Sequence, residues 1–240
     1  MMKQINYGID GPKFVRNLFL FVVIFYALAL SFPRFQIGNV TVNTFVLSFS
    51  LGSICLAEGL LMLLYARKGK FAHRDRILNL VHWKGNETVL DVGTGLGLLM
   101  IGAAKRLTSG NSIGIDIWNK DDLSDNSFTK ANKNAALENV VDKIELKEEN
   151  ILHTSFQNDH FDVVLSNLCL HNVGNKENRK KACREIHRIL KKGGVAIISD
   201  IVHHGEYKTA FRELGMTTEK VGTFYLNTYQ PLTIIKAVKN

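Results

Sequence analysis

Between Val89 and Gly97 the chain reads Val-Leu-Asp-Val-Gly-Thr-Gly-Leu-Gly, and no other stretch limits the fold as much. A short apolar run ends at Asp91, glycines stand at 93, 95 and 97, and an amphipathic segment from Leu98 to Leu107 follows. This pattern predicts a buried strand, a tight turn whose backbone approaches a ligand closely, and the start of a helix. A dinucleotide site has a different glycine spacing and lays a pyrophosphate on the helix N-terminus. An anionic Asp91 at the mouth of the loop would repel that phosphate and attract a cationic amino group.

From Phe71 onward, strand-like and helix-like segments alternate. Strands are expected at Thr88–Val92, Ser112–Asp116, Lys143–Lys147, Phe161–Ser166 and Val195–Ser199, with two closing strands at Thr217–Leu226 and Leu232–Val238. Helices are expected at Phe71–Val81, Leu98–Leu107, Ser127–Leu137, Lys176–Leu190 and Gly205–Leu214. The fold class is therefore α/β, a doubly wound, mostly parallel seven-stranded sheet with helices on both faces. In such sheets ligands bind beyond the carboxyl ends of the strands. After the first strand come Gly93, Thr94, Gly95 and Gly97. After the second come Asp116, suited to the two hydroxyls of a ribose, and Ile117-Trp118, suited to cover an adenine face. After the third come Asn150 and Ile151, where an amide oxygen could accept from the adenine amino group. After the fourth come Asn167, His171 and Asn172, and after the fifth Asp200. A ligand offering an ammonium, a carboxylate and a ribose together is S-adenosylmethionine.

The run Asp91-Val-Gly-Thr-Gly-Leu-Gly97, Asp116, Phe161-Asp-Val-Val-Leu-Ser166 and Leu190-Lys-Lys-Gly-Gly194 resembles the class I S-adenosylmethionine-dependent methyltransferases over roughly residues 71–240. Asp116–Ser127 and Leu168–Val173 look like a bacterial branch of small-molecule methyltransferases with membrane-anchored members. The resemblance implies a Rossmann-like methyltransferase fold and a cofactor site made by the glycine loop, Asp116 with its neighbours, and Asn150-Ile151. Many relatives carry Asp where Asn150 stands.

Residues 1–70 read differently. Phe14–Phe32 and Asn43–Tyr65 are almost wholly apolar, and at a rise of ~1.5 Å per residue each spans about the ~30 Å of a hydrocarbon core. Lys3, Lys13 and Arg16 precede the first run, Arg67, Lys68, Lys70, Arg74 and Arg76 follow the second, and Arg34 alone lies between. The positive-inside rule then predicts a two-helix transmembrane hairpin with both ends and the catalytic domain in the cytosol, and a domain boundary at residues 66–71. Two other readings are a signal peptide ending near Ala27-Leu28-Ala29 and a pair of buried helices capping a soluble enzyme. Glu58, inside the second run, is expected to pair with Arg16 or to sit near the interface.

The formal net charge of +8 is concentrated around these apolar runs. That distribution favours a bilayer, with anionic lipids as further partners of the basic helix Lys176–Lys192, over nucleic acid. Cys55, Cys169 and Cys183 form neither a C-x-x-C pair nor a disulfide framework, and no H-E-x-x-H is present, so no metal site is expected. His171 is the candidate general base by position and by its ordinary pKa, with Asn172 to orient it or the acceptor. Asp200 with His203-His204 reads most simply as a solvated turn. Asn6–Pro12 reads as a helix lead-in or as a lid in which Tyr7 or Asp10 reaches the cofactor. The expected function is transfer of a methyl group to a lipophilic small molecule or lipid at the cytosolic face. A protein methyltransferase and a non-catalytic adenosyl-ligand-binding protein are the rivals.

Overall fold

A computed structural model describes residues 5–119 and 121–240. Pro12, whose fixed backbone angle suits a first helical turn, opens helix α1 (Pro12–Ser31), which runs antiparallel to α2 (Thr44–Leu64). Glycines let the two approach: a Cβ on Gly52 would lie 2.7 Å from the Tyr26 ring, and one on Gly59 2.9 Å from the Phe19 ring. Tyr26 and Ser53 hydroxyls meet at 3.1 Å across the same seam. Both helices are long and apolar enough to cross a membrane by length and composition, and most of their side chains are exposed. That exposure does not fit two buried helices capping an enzyme.

The connection between them is more ordered than a plain loop. Strands β1 (Arg34–Ile37) and β2 (Val40–Asn43) pair antiparallel, with Ile37 opposite Val40 across a two-residue Gly38-Asn39 turn. Asn and Gly are the residues that tolerate the left-handed angles such turns need. At the other end α2 passes through a π-helical turn, Tyr65–Gly69, straight into α3 (Lys70–Leu78). The chain thus enters the α/β part along one continuous helix, with no linker near residue 70.

The sheet comprises β3 (Thr88–Val92), β4 (Asn111–Asp116), β5 (Ile144–Glu148), β6 (Phe161–Asn167), β7 (Leu190–Asp200), β8 (Thr217–Phe224) and β9 (Leu232–Val238). Their spatial order is β5-β4-β3-β6-β7-β9-β8. Only β9 runs against its neighbours, β7 and β8. Helices α4 (Leu98–Ala104), α5 (Phe128–Leu137), α6 (Lys176–Ile189) and α7 (His204–Glu213) complete the α/β layers. Strand β7 begins at Leu190, ahead of the expected Val195, because Gly193 and Gly194 exchange backbone hydrogen bonds with Lys239 beyond β9.

Alternation along the central strands sorts the core onto two faces. Leu90, Val92 and Val164 pack under α6 and α7 with Ile186, Ile189, Tyr207 and Phe211. Val89, Val163 and Leu165 pack under α3 and α4 with Ile77, Leu78, Leu99 and Ala103. Each such Leu or Ile contributes about 1.5–3 kcal/mol on burial. The chain builds outward from β3 to β5, then returns to β6 beside β3. This return leaves a crevice at the carboxyl ends of β3, β4 and β6, the usual ligand position in doubly wound sheets.

Candidate active site

The glycine loop leaves β3 with Gly93 (φ 70°), Gly95 (φ 55°) and Gly97 (φ 88°) all in left-handed conformations. A Cβ on Gly93 would fall 2.4 Å from Cys169 Sγ, so only glycine keeps the loop against the end of β6. Gly93 N–H and Thr94 N–H both donate to the Ile115 carbonyl, at 2.9 and 3.0 Å. Asp91 is buried behind this turn. Its Oδ2 accepts from Thr94 Oγ1 at 2.8 Å and from Met100 N–H at 2.9 Å. The carboxylate therefore receives a free amide of the first turn of α4, a favourable place for negative charge. Burial lifts its pKa to about 7, with those two hydrogen bonds opposing the rise. The sequence placed Asp91 at the mouth of the loop; the structure places it behind, bordering a small cleft with Gly93, Gly95, Asn167 and Asp10.

Beyond the loop lies a cavity of 480 Å³, within the ~300–1,000 Å³ of small-molecule sites. Gly93, Gly95, Asp116, Ile117, Asn150, Ile151, Asn167 and Asn172 all border it. Asp116 Oδ2 accepts from Gly95 N–H at 2.8 Å and Oδ1 from Trp118 N–H at 2.6 Å. Oδ1 also accepts a long bond from Asn126 Nδ2 at 3.4 Å, so of the roughly four acceptor positions of a carboxylate the one left for a hydroxyl is on Oδ2. Trp118 does not border the cavity. Its backbone is left-handed (φ 55°), and its ring packs edge-on against Phe128 at 5.9 Å. Ile117 is the member of that pair at the cavity wall. Asn150 Oδ1 already accepts from Leu152 N–H at 2.9 Å, so the oxygen expected to take an adenine proton is shared with the turn.

Asn126 and Leu123 border the cavity without having been expected there. Asn126 is buried and donates to the Asn119 carbonyl at 3.0 Å, tying the segment after β4 over the site. Among the described residues, the buried Oδ1 atoms of Asn126 and Asn167 have no hydrogen-bond partner. Buried amide oxygens are normally satisfied, and orphaned ones in a cavity wall point to a ligand.

After β6, Leu168 adopts φ 55° and the chain turns through Leu170–Asn172. His171 Nδ1 comes within 2.6 Å of Asp200 Oδ1 at the end of β7, in a charge contact that is off the ring's donor axis. Asp200 is almost wholly buried, not a solvated turn. It also accepts from His171 N–H (3.0 Å), Ile201 N–H (2.9 Å) and Tyr207 O–H (3.1 Å). These bonds lock the carboxylate beside the His171 ring, which borders a further cavity. His203 instead faces Glu206 at 3.2 Å. The Cys169 thiol, also at the cavity, is pushed well up by burial and surrounding carboxylates, so it stays protonated.

A second cavity, of 240 Å³, opens beside His171 and shares Asp10, Asp122, Leu168 and Asn172 with the first. Asp10 belongs to the segment before α1, which lies across the domain. Asn6 and Asn134 exchange hydrogen bonds, Ile9 N–H donates to Ser124 Oγ at 2.7 Å, and Tyr7 O–H donates to Glu138 at 2.5 Å. Buried Lys70 holds the segment from below, donating to the Tyr7 and Gly8 carbonyls at 3.0 and 2.9 Å and meeting Asp10 at 3.0 Å. Among the described residues Glu58 forms no ion pair with Arg16, and the hydroxyl of Tyr229 in the β8–β9 loop is held above its ordinary range by burial and by the nearby Glu58.

Residues 90–198 match the family described as Methyltransferase domain. A release factor glutamine methyltransferase of Flavobacterium psychrophilum is 42% identical over 82 residues, covering 34% of this chain and 26% of that protein. A demethylmenaquinone methyltransferase of Lactiplantibacillus plantarum is 31% identical over 121 residues, covering 50% of this chain and 47% of that protein. The chain thus spans less than half the length of either relative. A crystal structure of a SAM dependent methyltransferase from Aquifex aeolicus superposes with a TM-score of 0.54 at 16% identity, over 68% of this chain and 88% of that one.

Proposed function

We propose that this chain, whose α/β domain belongs to the class I S-adenosylmethionine-dependent methyltransferases, moves a methyl group from that cofactor to a lipophilic small molecule at the cytosolic face of a membrane. The residues around the larger cavity fit the cofactor. The glycine cradle would be filled by any Cβ, Asp116 keeps acceptor capacity, and two amide oxygens are orphaned in or beside the wall. Gly93 and Gly95 would hold the amino-acid end, Asp116 the ribose, and Ile117, Asn150 and Ile151 the adenine. When bound, the cofactor supplies a methyl group on a positively charged sulfur. The chain contributes position, a water-poor wall and a base. The His171 imidazole receives a proton from the acceptor, and the buried Asp200 carboxylate 2.6 Å from its Nδ1 offsets the positive charge that results.

One observation carries this reading: two cavities meet at Leu168 and Asn172, the glycine loop bordering one and His171 the other. Direct transfer between two bound molecules requires donor and acceptor sites side by side, and these two cavities share Asp10, Asp122, Leu168 and Asn172 in their walls. The membrane part rests on the two exposed apolar helices and on the basic residues crowding their domain end, against Arg34 alone at the far end. A relative named a demethylmenaquinone methyltransferase supports a small-molecule acceptor.

The relative named a release factor glutamine methyltransferase favours a second reading, transfer to protein. Incubating the full chain in native membranes with methyl-labelled cofactor separates the two. Label in the organic extract is expected. Label confined to protein would establish the second reading, and cofactor binding without any labelled product would remove both.

A further inference from the structure

We propose that the 240 Å³ cavity beside His171 is the acceptor's chamber, and that it admits, from the bilayer, the ring of a neutral lipophile bearing a hydroxyl group. The inference rests on the methyltransferase reading above and adds where the acceptor sits, what class it belongs to and how it arrives.

The chamber is built jointly by the two halves of the molecule. Its floor is His171 and Asn172 of the domain, while Phe14 of α1 and Met62 and Tyr65 at the end of α2 form the opposite wall. Gly52 packs on Tyr26 and Gly59 on Phe19, so the helix pair brings Phe14 level with Met62–Tyr65. That level is the domain end of the apolar band, and Leu60, Leu61 and Leu64 beside it are exposed. The wall of the chamber is thus continuous with the surface that faces lipid. The β8–β9 loop completes the enclosure. It leaves the sheet at Phe224 and passes its Asn227 carbonyl against Gly69, and its Tyr229 and Gln230 border the chamber beside Met62 and Tyr65.

The chemistry of the walls selects the occupant. Phe14, Tyr65 and Tyr229 offer aromatic surface suited to a flat ring. Two of the nearby acids already have cations, Asp10 with Lys70 at 3.0 Å and Asp121 with Lys13 at 2.6 Å, so they do not call for a cationic guest. The third, Asp122, is held above the usual carboxylate range by burial, which lowers its demand for a cation. The other polar groups of the walls, the imidazole of His171, the amides of Asn172 and Gln230 and the hydroxyls of Tyr65 and Tyr229, are neutral hydrogen-bonding partners suited to a hydroxyl. A volume below the ~300 Å³ of drug-sized sites admits a ring and leaves a hydrocarbon tail in lipid. The anchor is on this account part of the substrate site and not a tether.

The test uses the full chain in phosphatidylcholine nanodiscs and, as probe, a long-chain alkylphenol with a diazirine next to the ring. After irradiation, peptide mass spectrometry is expected to find label within residues 10–14, 62–65 and 229–232, removed by excess unlabelled alkylphenol. Met62→Trp and Gln230→Trp, which fill the chamber from opposite sides, should each lower that labelling about tenfold while S-adenosylhomocysteine affinity by calorimetry stays unchanged. Unchanged labelling in both variants, or label only on the outer faces of α1 and α2, would overturn the chamber and leave the methyltransferase reading intact. Equal competition by an alkylammonium of the same length would overturn the substrate class. Loss of S-adenosylhomocysteine binding in the unmodified chain would instead strike the reading beneath both.

Discussion

Asp91 and Asp200 are both buried carboxylates at strand ends, and their partners give them different work. Asp200 receives three hydrogen bonds and faces His171, so Asp200→Asn should leave S-adenosylhomocysteine affinity unchanged while kcat falls about 10²–10⁴-fold, the range of a misoriented general base. Asp91 has its pKa lifted to about 7 by burial. Between about pH 4 and about pH 7 the folded chain therefore keeps a proton that the unfolded chain has released, and stability is lost as pH rises through that window. An ammonium seated in the cleft beside Asp91 favours the ionised form instead. Calorimetry with S-adenosylhomocysteine should show affinity rising from about pH 6 to about pH 8, and Asp91→Asn should flatten that rise. Gly93→Ala forces a Cβ onto Cys169 at a left-handed position, where strain alone costs about 1–3 kcal/mol, and should weaken the same ligand at least tenfold or so. Eight residues at the larger cavity, Gly93, Gly95, Asp116, Ile117, Asn150, Ile151, Asn167 and Asn172, were legible in the sequence because they follow strand ends. The direction of a side chain was not: nothing in Ile117-Trp118 announces the left-handed Trp118 that turns its ring to Phe128, and nothing after Asp200 announces that it points inward to His171.

Among the elements, periodicity served well wherever burial is one-sided or complete. The apolar runs of β3, β6 and β9 are buried on both faces and end where polar residues begin, and the charged face of α6 sets its limits against the core. The elements missed are those fixed by tertiary contact. Alternation in Phe35, Ile37, Val40 and Val42 around Gly38-Asn39 did carry a hairpin signal, but it was hidden in a short connection between long apolar runs. The segment Asn6–Asp10 has no periodicity of its own and is held by Asn134, Ser124 and Lys70, all distant in sequence. Lys70 is the strut of this strap, buried and bonded to two of its carbonyls. Lys70→Met removes those bonds and leaves Asp10 without its cation, a loss in the range of about 3–5 kcal/mol for a broken buried pair. Amide exchange in residues 6–11 should then quicken by about tenfold or more, with the sheet amides little changed; uniform exchange in both proteins would show that the strap does not depend on Lys70.

At the scale of the whole molecule, the helix from Thr44 to Leu78 joins an apolar hairpin to the α/β domain without a break, and the smaller cavity lies where they meet, with the larger beside it in the domain. The sequence separated these halves at residues 66–71 because composition changes there. It could not show that Phe14, Met62 and Tyr229 border one chamber, since that juxtaposition needs the helix register, the π-helical turn and the β8–β9 loop together. If the hairpin spans a bilayer, the full chain should stay with membranes through alkaline carbonate washing, and recovery in the wash would remove the anchor from the account. The central claim is that a donor cavity and an acceptor cavity meet at Leu168 and Asn172 on a membrane surface. The most direct measurement is a structure of the full chain in a lipid nanodisc with S-adenosylhomocysteine bound. The account predicts the ligand in the 480 Å³ cavity, its ribose on Asp116, its sulfur toward Leu168 and Asn172, and the lipid boundary at the level of Phe14 and Met62. A ligand whose sulfur faces away from Leu168 and Asn172, or a nanodisc that leaves α1 and α2 in water, would contradict it.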